Sequence, residues 1–466
     1  MMKPGSVLMV LLVAAGLLMG VAVAGLPPLV TFIGLASLLV LFLVFAYPVL
    51  VITLLVTVVT FNVLWVNKGA RYAEIVYATV FVALVISWIC RRVVRMAFDR
   101  ARARLGSPLT LPVLLFLALA LFNCALGIAR GNHFEHWASN LNALMYYGLC
   151  FMMLDLVRER KTLMRIFYSM VASLILGLIC GLWFVFIKGY APGILFQMLH
   201  ATLSYPSVMC LLMFVIMTAL AITPQKGARV IIFGSLALFF GVMLLALSAR
   251  SLWIAALFGL SFLFFVAQGK ERTSILKAIP LVVMCVSLYI AIAMALPANH
   301  PLSGSAAALS RRYVSIFTAQ DEPSMMTRRS EWIAAKQKAL RYPIIGNGLG
   351  TEVTFYRYDN WFGGETWYTT RYIHNAYLSI VLNMGFLGLA SFLWLCFSFL
   401  RYAVRLYHRL TDAADRSFAL GIGASFATLM VASLAGPLLT APALTIWLGF
   451  FAGALIILER SSKEAA

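Results

Sequence analysis

The chain has 466 residues, of which 63% are hydrophobic and 11% are charged, and its mean hydropathy is +0.96. A soluble domain is only about half apolar, so this composition excludes a soluble globular protein and predicts an all-α polytopic membrane protein. The formal net charge of +20 comes largely from short basic loops. Such loops orient membrane proteins, which favours topology signals over nucleic-acid sites.

Apolar runs that are long enough to cross a bilayer follow one another almost from end to end. A spanning helix needs about 20 residues, and on that basis the sequence predicts about 12 to 14 transmembrane helices. The start of the chain also resembles a cleavable signal peptide, but the apolar pattern resumes at once after residues 25–28, which favours an uncleaved first helix. The candidate spans are 6–24, 28–45, 48–66, 73–90, 109–128, 138–156, 166–187, 198–222, 229–247, 252–267, 278–296, 376–400, 418–436 and 441–458.

The basic loops predict how the helices are oriented. If these loops lie in the cytoplasm, the helices between them alternate in direction. They are residues 91–107, 157–165, 223–229, 268–277 and 401–417. The segments that then face the outer side are 129–137, 188–194, 247–251 and 297–373.

This topology predicts three integrated parts in one domain. Residues 1–296 form an N-terminal helix bundle, residues 297–373 form a large outer loop with short interfacial helices, and residues 374–466 form three C-terminal helices. The orientation rule applies to loops shorter than about 60 residues, so the positive charge of the large loop is free to serve a function.

Residues 330–343 of this loop predict a short helix, with Ser330 as N-cap and Pro343 beyond its end. Apolar residues alternate there with cations. The pattern fits a helix at the membrane interface and a solvated helix packed on its own loop equally well.

Several arginines are candidates for binding an anion at the outer interface, because ionisable residues are nearly absent from the middle of the spans. Arg250 lies in a tight connection between two helices, where lipid phosphates or an anionic substrate would suit it. Arg328 and Arg329 precede the predicted loop helix, so their guanidinium groups could bind phosphate beside its N-terminal amides. Arg311 and Arg312 form a second pair, for which a solvated charge pair is the alternative.

His374 opens the first helix after the loop, with Arg371 just before it and Tyr377 one turn later. A lone interfacial histidine is more often a hydrogen-bonded anchor than a catalyst. With arginines nearby, however, an imidazole can act as general base while the cations hold a diphosphate leaving group.

Other motifs favour structural interpretations. His133 and His136 have the spacing of two metal ligands but lack an evident third, and a short polar loop explains them. Residues 346–350 resemble a phosphate loop only superficially, so we interpret them as a turn after Pro343.

Three motifs together resemble a known family. They are SARSLW at 248–253, RRSEW followed by YPIIGNGLG within 328–350, and HNAYLSIVLNMGFLGL at 374–389. In this order they are similar to the O-antigen ligase and O-antigen polymerase superfamily of bacterial inner-membrane glycosyltransferases. The resemblance in topology covers most of the chain, and the motifs cover those three stretches.

The resemblance implies a GT-C-like fold and a metal-independent, inverting transfer of a glycan from undecaprenyl diphosphate in the periplasm, without a cofactor. The acceptor in an O-antigen ligase is lipid A-core, and the polymerase differs only in its acceptor. One large outer loop followed by three helices, with no extended soluble tail, favours the ligase. The implied partners are the lipid-linked glycan, lipid A-core and membrane lipids, with no nucleic acid.

The family's residues carry over to matching positions of this chain. Arg250 matches the arginine of the helix-start motif, Arg329 the arginine three before the loop tryptophan, and His374 the histidine of the His-Asn motif. The arginines would bind the donor diphosphate, with help from Arg311 or Arg312, and His374 would be the base. Further candidate contacts are Arg328, Tyr377 and Arg371. The sequence departs from the family at Asn383, where members often have an acid.

A polysaccharide flippase or other transporter is the alternative from another class. It predicts polar residues along a central cavity and internal repeat symmetry, and the sequence shows neither. A scaffold protein would also fit the helix pattern, but it gives no reason for arginines and a histidine on one side of the membrane.

Overall fold

The computed structural model describes residues 43–59, 70–99, 106–187, 204–223, 228–246, 250–276, 323–358 and 366–465, together with positions 291 and 295. Helices dominate these residues, and one two-stranded hairpin accompanies them. Before the large loop the helices are α1 (Pro48–Val58), α2 (Ala70–Asp99), α3 (Thr110–Ala129), α4 (Phe134–Met145), α5 (Leu149–Leu156), α6 (Arg160–Ile187), α7 (Ser204–Ile222), α8 (Ala228–Ala246) and α9 (Arg250–Val266). The loop contains α10 (Pro323–Ala339), β1 (Val353–Arg357) and β2 (Thr366–Thr370), and α11 (Ala376–Arg409), α12 (Ala413–Ala432) and α13 (Pro442–Ala465) follow.

Six of the described helices are long and apolar enough to cross a membrane, which agrees with the predicted class of all-α membrane protein. Three shorter apolar helices accompany them, at Pro48–Val58, Pro206–Ile222 and Arg250–Val266. The count of 12 to 14 spans stays a prediction. The candidate span 6–24, most of 28–45, and all of 278–296 except positions 291 and 295 lie outside the described residues.

The predicted span 138–156 is two helices instead of one. Helix α4 passes through a 3-10 turn, Tyr146–Gly148, into α5. Helix α13 packs at this turn, because a β-carbon on Gly449 would lie only 2.4 Å from the carbonyl oxygen of Tyr146. The Tyr147 hydroxyl donates to the carbonyl of Leu439 at 2.9 Å, which ties the same turn to the chain before α13.

The predicted start of the loop helix is wrong. Helix α10 begins at Pro323, and the expected N-cap Ser330 lies inside it. Proline is favoured in the first turn, where its missing N–H costs no hydrogen bond. Arg328 and Arg329 therefore lie within the helix, and their guanidinium groups are not beside free N-terminal amides.

Helix α11 begins as predicted and is broken by a kink. The Asn375 side chain caps it by accepting from the backbone N–H of Leu378 at 3.0 Å. Gly385 has φ 67° and ψ −172°, which is not a helical conformation. A broken helix at membrane depth needs protein partners for the backbone groups that the break releases.

Residues 343–350 supply those partners and form a turn, as predicted. Two of their N–H groups reach carbonyls before the kink, and two of their carbonyls accept N–H groups after it. These bonds are Asn347 to Leu382 (2.9 Å), Gly348 to Asn383 (2.9 Å), Phe386 to Pro343 (2.8 Å) and Leu387 to Ile344 (3.1 Å). The turn therefore supplies the backbone partners that the broken helix lacks, in addition to packing against it.

The same turn also binds α3. The N–H of Leu349 donates to the Asn123 carbonyl at 2.9 Å, and a β-carbon on Gly348 would lie 2.5 Å from the Gly127 backbone. Arg130 donates to the Gly346 carbonyl at 2.6 Å and covers the Tyr342 ring at 3.8 Å. The large loop is thus fixed to two membrane helices at one end of the bundle.

Candidate functional site

Segments that are distant in the sequence meet at this loop end. The Asn132 amide, just after α3, donates to the Leu349 carbonyl at 2.8 Å. Arg371 donates to the His136 carbonyl in α4 at 3.0 Å. Arg250, the first residue of α9, acts electrostatically on Arg328 of α10. Parts of three segments expected on one side of the membrane, 129–137, 247–251 and 297–373, therefore converge.

His374 is held by a buried carboxylate. Its backbone N–H donates to Oε1 of Glu331 at 2.5 Å, and its ring Nδ1 lies 2.7 Å from Oε2 of the same residue. The Glu331 side chain is 1% exposed, whereas that of His374 is 41% exposed. A carboxylate oxygen can only accept, so Nδ1 carries the proton, and the lone pair of the neutral ring is on Nε2.

Helix α10 places Glu331 on its buried face. Thr327, Ala335 and Ala339 lie one or two turns away on that face and are also buried. Small neighbours leave room for the carboxylate to reach the segment between β2 and α11, where Ile373 is buried in a cluster with Ala335 and Ala339. The helix thereby carries a charged group into the interior and directs it at one partner residue.

Arg328 lies near both Glu331 of this pair and Arg250. Burial lowers the pKa of the half-buried Arg328, nearby Glu331 raises it, and the charge of Arg250 lowers it further. Coulomb effects of this kind need charges at short range. Two guanidinium groups thus lie in one region with a carboxylate, and guanidinium groups are suited to binding a phosphate or diphosphate.

The other predicted site residues that the structure describes, Arg329, Arg371 and Tyr377, each lie in a different environment. Arg329 is on the exposed face of α10. Arg371 donates to carbonyls of Glu135 and His136, and the Tyr377 hydroxyl donates to the Met430 carbonyl at 2.8 Å. Arg311 and Arg312 lie outside the described residues.

Sequence reasoning missed Glu331 as a site residue, because it follows the expected N-cap Ser330 and an acid is common in the first turn of a helix. Its four-residue spacing from Thr327 and Ala335 was the available signal, since residues at this spacing share a helix face. Asn383, where the family often has an acid, is also buried. Its amide donates to the Ser379 carbonyl at 2.8 Å and accepts from the Thr351 N–H at 3.2 Å.

A second polar cluster lies beside the first. Nδ1 of His136 is 3.1 Å from Oε1 of Glu352, and Lys338 donates to the Glu352 carbonyl at 2.6 Å. Burial and the charge of Arg371 lower the pKa of His136, while Glu352 raises it. Within the described residues, no three His, Cys, Asp or Glu side chains gather where they could hold a metal ion.

Comparison with known families yields one match. Residues 233–393 match a family model described as O-antigen ligase. The matched region contains all three motifs and Arg250, Arg328, Glu331 and His374. A comparison with curated proteins found no match.

Members of this family are glycosyltransferase-like ligases and polymerases, and the match supports, at this coarse level, an enzyme that handles a polysaccharide or lipid-linked substrate at a membrane. The resemblance that the three motifs indicated is confirmed. Residues 233–393 of the chain are therefore similar to the O-antigen ligase family.

Proposed function

We propose that this protein is an O-antigen ligase of the bacterial inner membrane. It transfers O-antigen polysaccharide from undecaprenyl diphosphate to lipid A-core at the periplasmic face. The observation that carries the proposal is the Glu331–His374 pair with Arg250 and Arg328 beside it, inside the family domain.

The proposed reaction is a direct displacement. Nε2 of His374 takes the proton of an acceptor hydroxyl on lipid A-core, and the oxygen attacks the anomeric carbon of the donor. The bond from that carbon to the diphosphate oxygen breaks, and undecaprenyl diphosphate leaves with the electron pair. Attack from the face opposite the leaving group inverts the anomeric carbon, and His374 later releases its proton to solvent.

The arginines stabilise the charge that develops on the leaving diphosphate. One guanidinium group can donate hydrogen bonds to two phosphate oxygens at once. Partial burial strengthens this interaction because less water competes for the donors. Arg250 and half-buried Arg328 are the pair we assign to this role. Arg329, which the motif spacing selected, has an outer position and contributes less in this proposal; Arg311 and Arg312 stay predictions.

The lipid carrier and its diphosphate account for the position of the site. The polyprenyl chain needs an apolar groove between helices, whereas the diphosphate needs cations at the membrane surface. Arg250, at the first residue of an apolar helix, lies at such a boundary.

The test is a transfer assay with purified protein in lipid vesicles, lipid-linked O-polysaccharide and lipid A-core. We expect wild type to produce capped lipopolysaccharide, and His374→Ala, Arg250→Ala and Arg328→Ala to lose it. Lys336→Ala, which removes an exposed cation from the same helix, is the matched control and keeps activity. Growth of the lipid-linked chain in place of transfer to lipid A-core would identify a polymerase. Unchanged transfer in His374→Ala would overturn the assigned base.

A further inference from the structure

The hairpin next to the candidate site has one face with an unusual composition. Strands β1 and β2 are antiparallel, with Thr354 opposite Thr369 and Tyr356 opposite Trp367. These four residues share a face, because side chains alternate along a strand. On the other face Val353 and Phe355 are buried, and Val353 packs in a cluster with Ala335 and Ala339 of α10. We call Thr354, Tyr356, Trp367 and Thr369 the outer hairpin face.

Hydroxyls and aromatic rings lie side by side on this face. The Oγ1 atoms of Thr354 and Thr369 are 2.8 Å apart. The rings of Tyr356 and Trp367 meet edge to face with centroids 5.7 Å apart. Trp367 is 69% exposed, which is high for so large an apolar ring.

This combination matches the surface of a sugar. A pyranose ring has an apolar face of C–H groups and a rim of hydroxyls. Aromatic rings can cover the apolar face, and hydroxyl side chains can exchange hydrogen bonds with the rim. We propose that the outer hairpin face binds the carbohydrate chain of a substrate and guides it at the reaction centre.

The hairpin is continuous with the candidate site. Strand β2 ends at Thr370, and the chain runs directly to His374. The Tyr372 ring, between them, contacts the His374 ring with centroids 5.6 Å apart. A glycan whose reacting end lies at His374 therefore has aromatic surface beside it. The proposal rests on the proposed function for the glycan's origin, which is the donor polysaccharide or the acceptor core.

A lipid-facing surface would have a different composition. Interfacial membrane surfaces combine aliphatic side chains with Lys or Arg. The outer hairpin face carries threonine hydroxyls in place of both, and Arg357 belongs to the opposite face, where it covers the Tyr368 ring. Exposed side chains of α8, by contrast, include Ile231 and Leu238. Because Trp and Tyr also gather at membrane interfaces, the test must separate the two ligands.

The first experiment measures glycan binding directly. Purified full-length protein in nanodiscs is applied to an array of bacterial O-polysaccharides and core oligosaccharides that lack any lipid or diphosphate. We expect wild type to bind, Trp367→Ala to bind about tenfold more weakly, and Trp367→Phe to keep most binding. Trp183→Ala removes a similarly exposed tryptophan, 67%, from the membrane helix α6 and serves as control. Binding to polysaccharides or to core sugars distinguishes donor from acceptor, and equal binding by wild type and Trp367→Ala overturns the proposal.

A second experiment tests the membrane as ligand. In vesicles that contain brominated phospholipid, bromine quenches tryptophans at the membrane, and the quenched fluorescence is compared between wild type and the two alanine variants. We expect Trp183→Ala to remove quenched signal and Trp367→Ala to remove only unquenched signal. Quenching of Trp367 would place the hairpin in lipid and overturn the proposal.

Failure of the proposed function is distinguishable from failure of this inference. If no transfer occurs but glycan binding that depends on Trp367 does, the proposed function is wrong and glycan binding by the outer hairpin face is supported. If transfer occurs and Trp367→Ala leaves both glycan binding and KM for the long-chain donor and for lipid A-core unchanged, the surface is wrong and the reaction stands.

Discussion

One buried carboxylate holds the imidazole of His374 through both its ring and its backbone. A single residue thereby sets the position of the ring, through the backbone bond, and its tautomer, through the bond to Nδ1. The full burial of Glu331 keeps water from competing for its oxygens. The basic atom that is presented to a substrate is consequently decided by Glu331.

Replacement of Glu331 by glutamine tests this arrangement. The amide oxygen can still accept the backbone N–H, but the amide nitrogen donates to Nδ1 and moves the ring proton to Nε2, where it blocks the base. We expect transfer to lose about 100-fold or more in kcat with little change in KM. The measurement is steady-state transfer on protein that elutes as a single species.

Glu352→Gln is the matched control, because it alters the carboxylate beside His136 instead of the one at His374. Normal kcat in Glu331→Gln would contradict the assigned role of the carboxylate. Loss of kcat in both variants would indicate a general effect of charge in the loop.

His136 predicts a pH effect on stability. Burial and Arg371 lower the pKa of the folded-state imidazole below its ordinary 6.5, so the unfolded chain binds the proton first as pH falls. The stability that neutral His136 contributes is present above pH 6.5 and is lost as pH falls through the folded-state value. We expect the thermal midpoint in detergent to fall less between pH 7.5 and pH 5 in His136→Gln than in wild type. Equal falls would contradict the prediction.

At the scale of elements, the loop and the kinked helix form one unit. The break at Gly385 releases backbone groups that the turn at 343–350 satisfies, so neither conformation is stable without the other. Gly346 and Gly385 have positive φ values of 79° and 67° and face each other's backbone too closely for a side chain. This unit also positions His374. Helix α10, which carries Glu331, ends just before the turn, and helix α11 begins just after the histidine.

Glycine at 346 is favoured for two reasons, its positive φ and the close approach of the Asn383 backbone, and alanine substitutions can separate them. The β-carbon of Gly346→Ala would lie 2.4 Å from the Asn383 carbonyl oxygen in addition to the strained φ, and we expect a loss of about 3 kcal/mol or more. Gly131→Ala has a positive φ with open space and should lose about 1 kcal/mol. Gly234→Ala, in a helix with open space, should be near neutral. Thermal unfolding in detergent measures all three, and equal effects at Gly346 and Gly131 would contradict the close contact.

Much of the element pattern was predictable. Periodicity and hydropathy located most helices, because both are local properties of the chain. The hairpin was not predicted, although its strand at 366–370 is rich in Thr, Trp and Tyr, which favour strands. Its partner strand, at 353–357, is separated from it by residues 358–365, and the hairpin is recognised only when the two strands are seen to pair. The start of α10 was misplaced because Ser330 resembles a cap, while the tertiary contacts of Glu331 favour continuation of the helix through that residue.

At the scale of the whole molecule, charge is distributed differently at the two ends. The end opposite the loop carries ion pairs in or beside the predicted cytoplasmic loops: Arg92 with Asp155 (3.1 Å), Arg160 with Asp415 (2.6 Å) and Arg416 with Glu271 (2.5 Å). At the loop end, Glu331 and Arg250 both act electrostatically on Arg328. The first arrangement connects helices, and the second groups two guanidinium groups near one carboxylate.

Substitution of Glu271 tests whether the ion pairs at the end opposite the loop stabilise the fold without affecting the candidate site. Glu271 is 1% exposed and accepts from Arg416 and from the Tyr407 hydroxyl, each at 2.5 Å. We expect Glu271→Gln to lose about 1–2 kcal/mol, since Arg416 is partly exposed and keeps some solvation. Glu464→Gln, at an exposed pair, should show no measurable change. A fall in the thermal midpoint with unchanged KM for donor is the expected result, and an altered KM would contradict the separation of the two ends.

The sequence by itself determined the membrane class, most helix positions, the family motifs and His374 as a candidate base. These depend on composition, on periodicity and on short contiguous stretches. Only the tertiary structure decided that Glu331 pairs with His374, that Arg250 acts on Arg328, and that residues 343–350 complete a broken helix. The physical reason is distance along the chain: Glu331 and His374 are 43 residues apart, and burial on one helix face, not local pattern, brings them together.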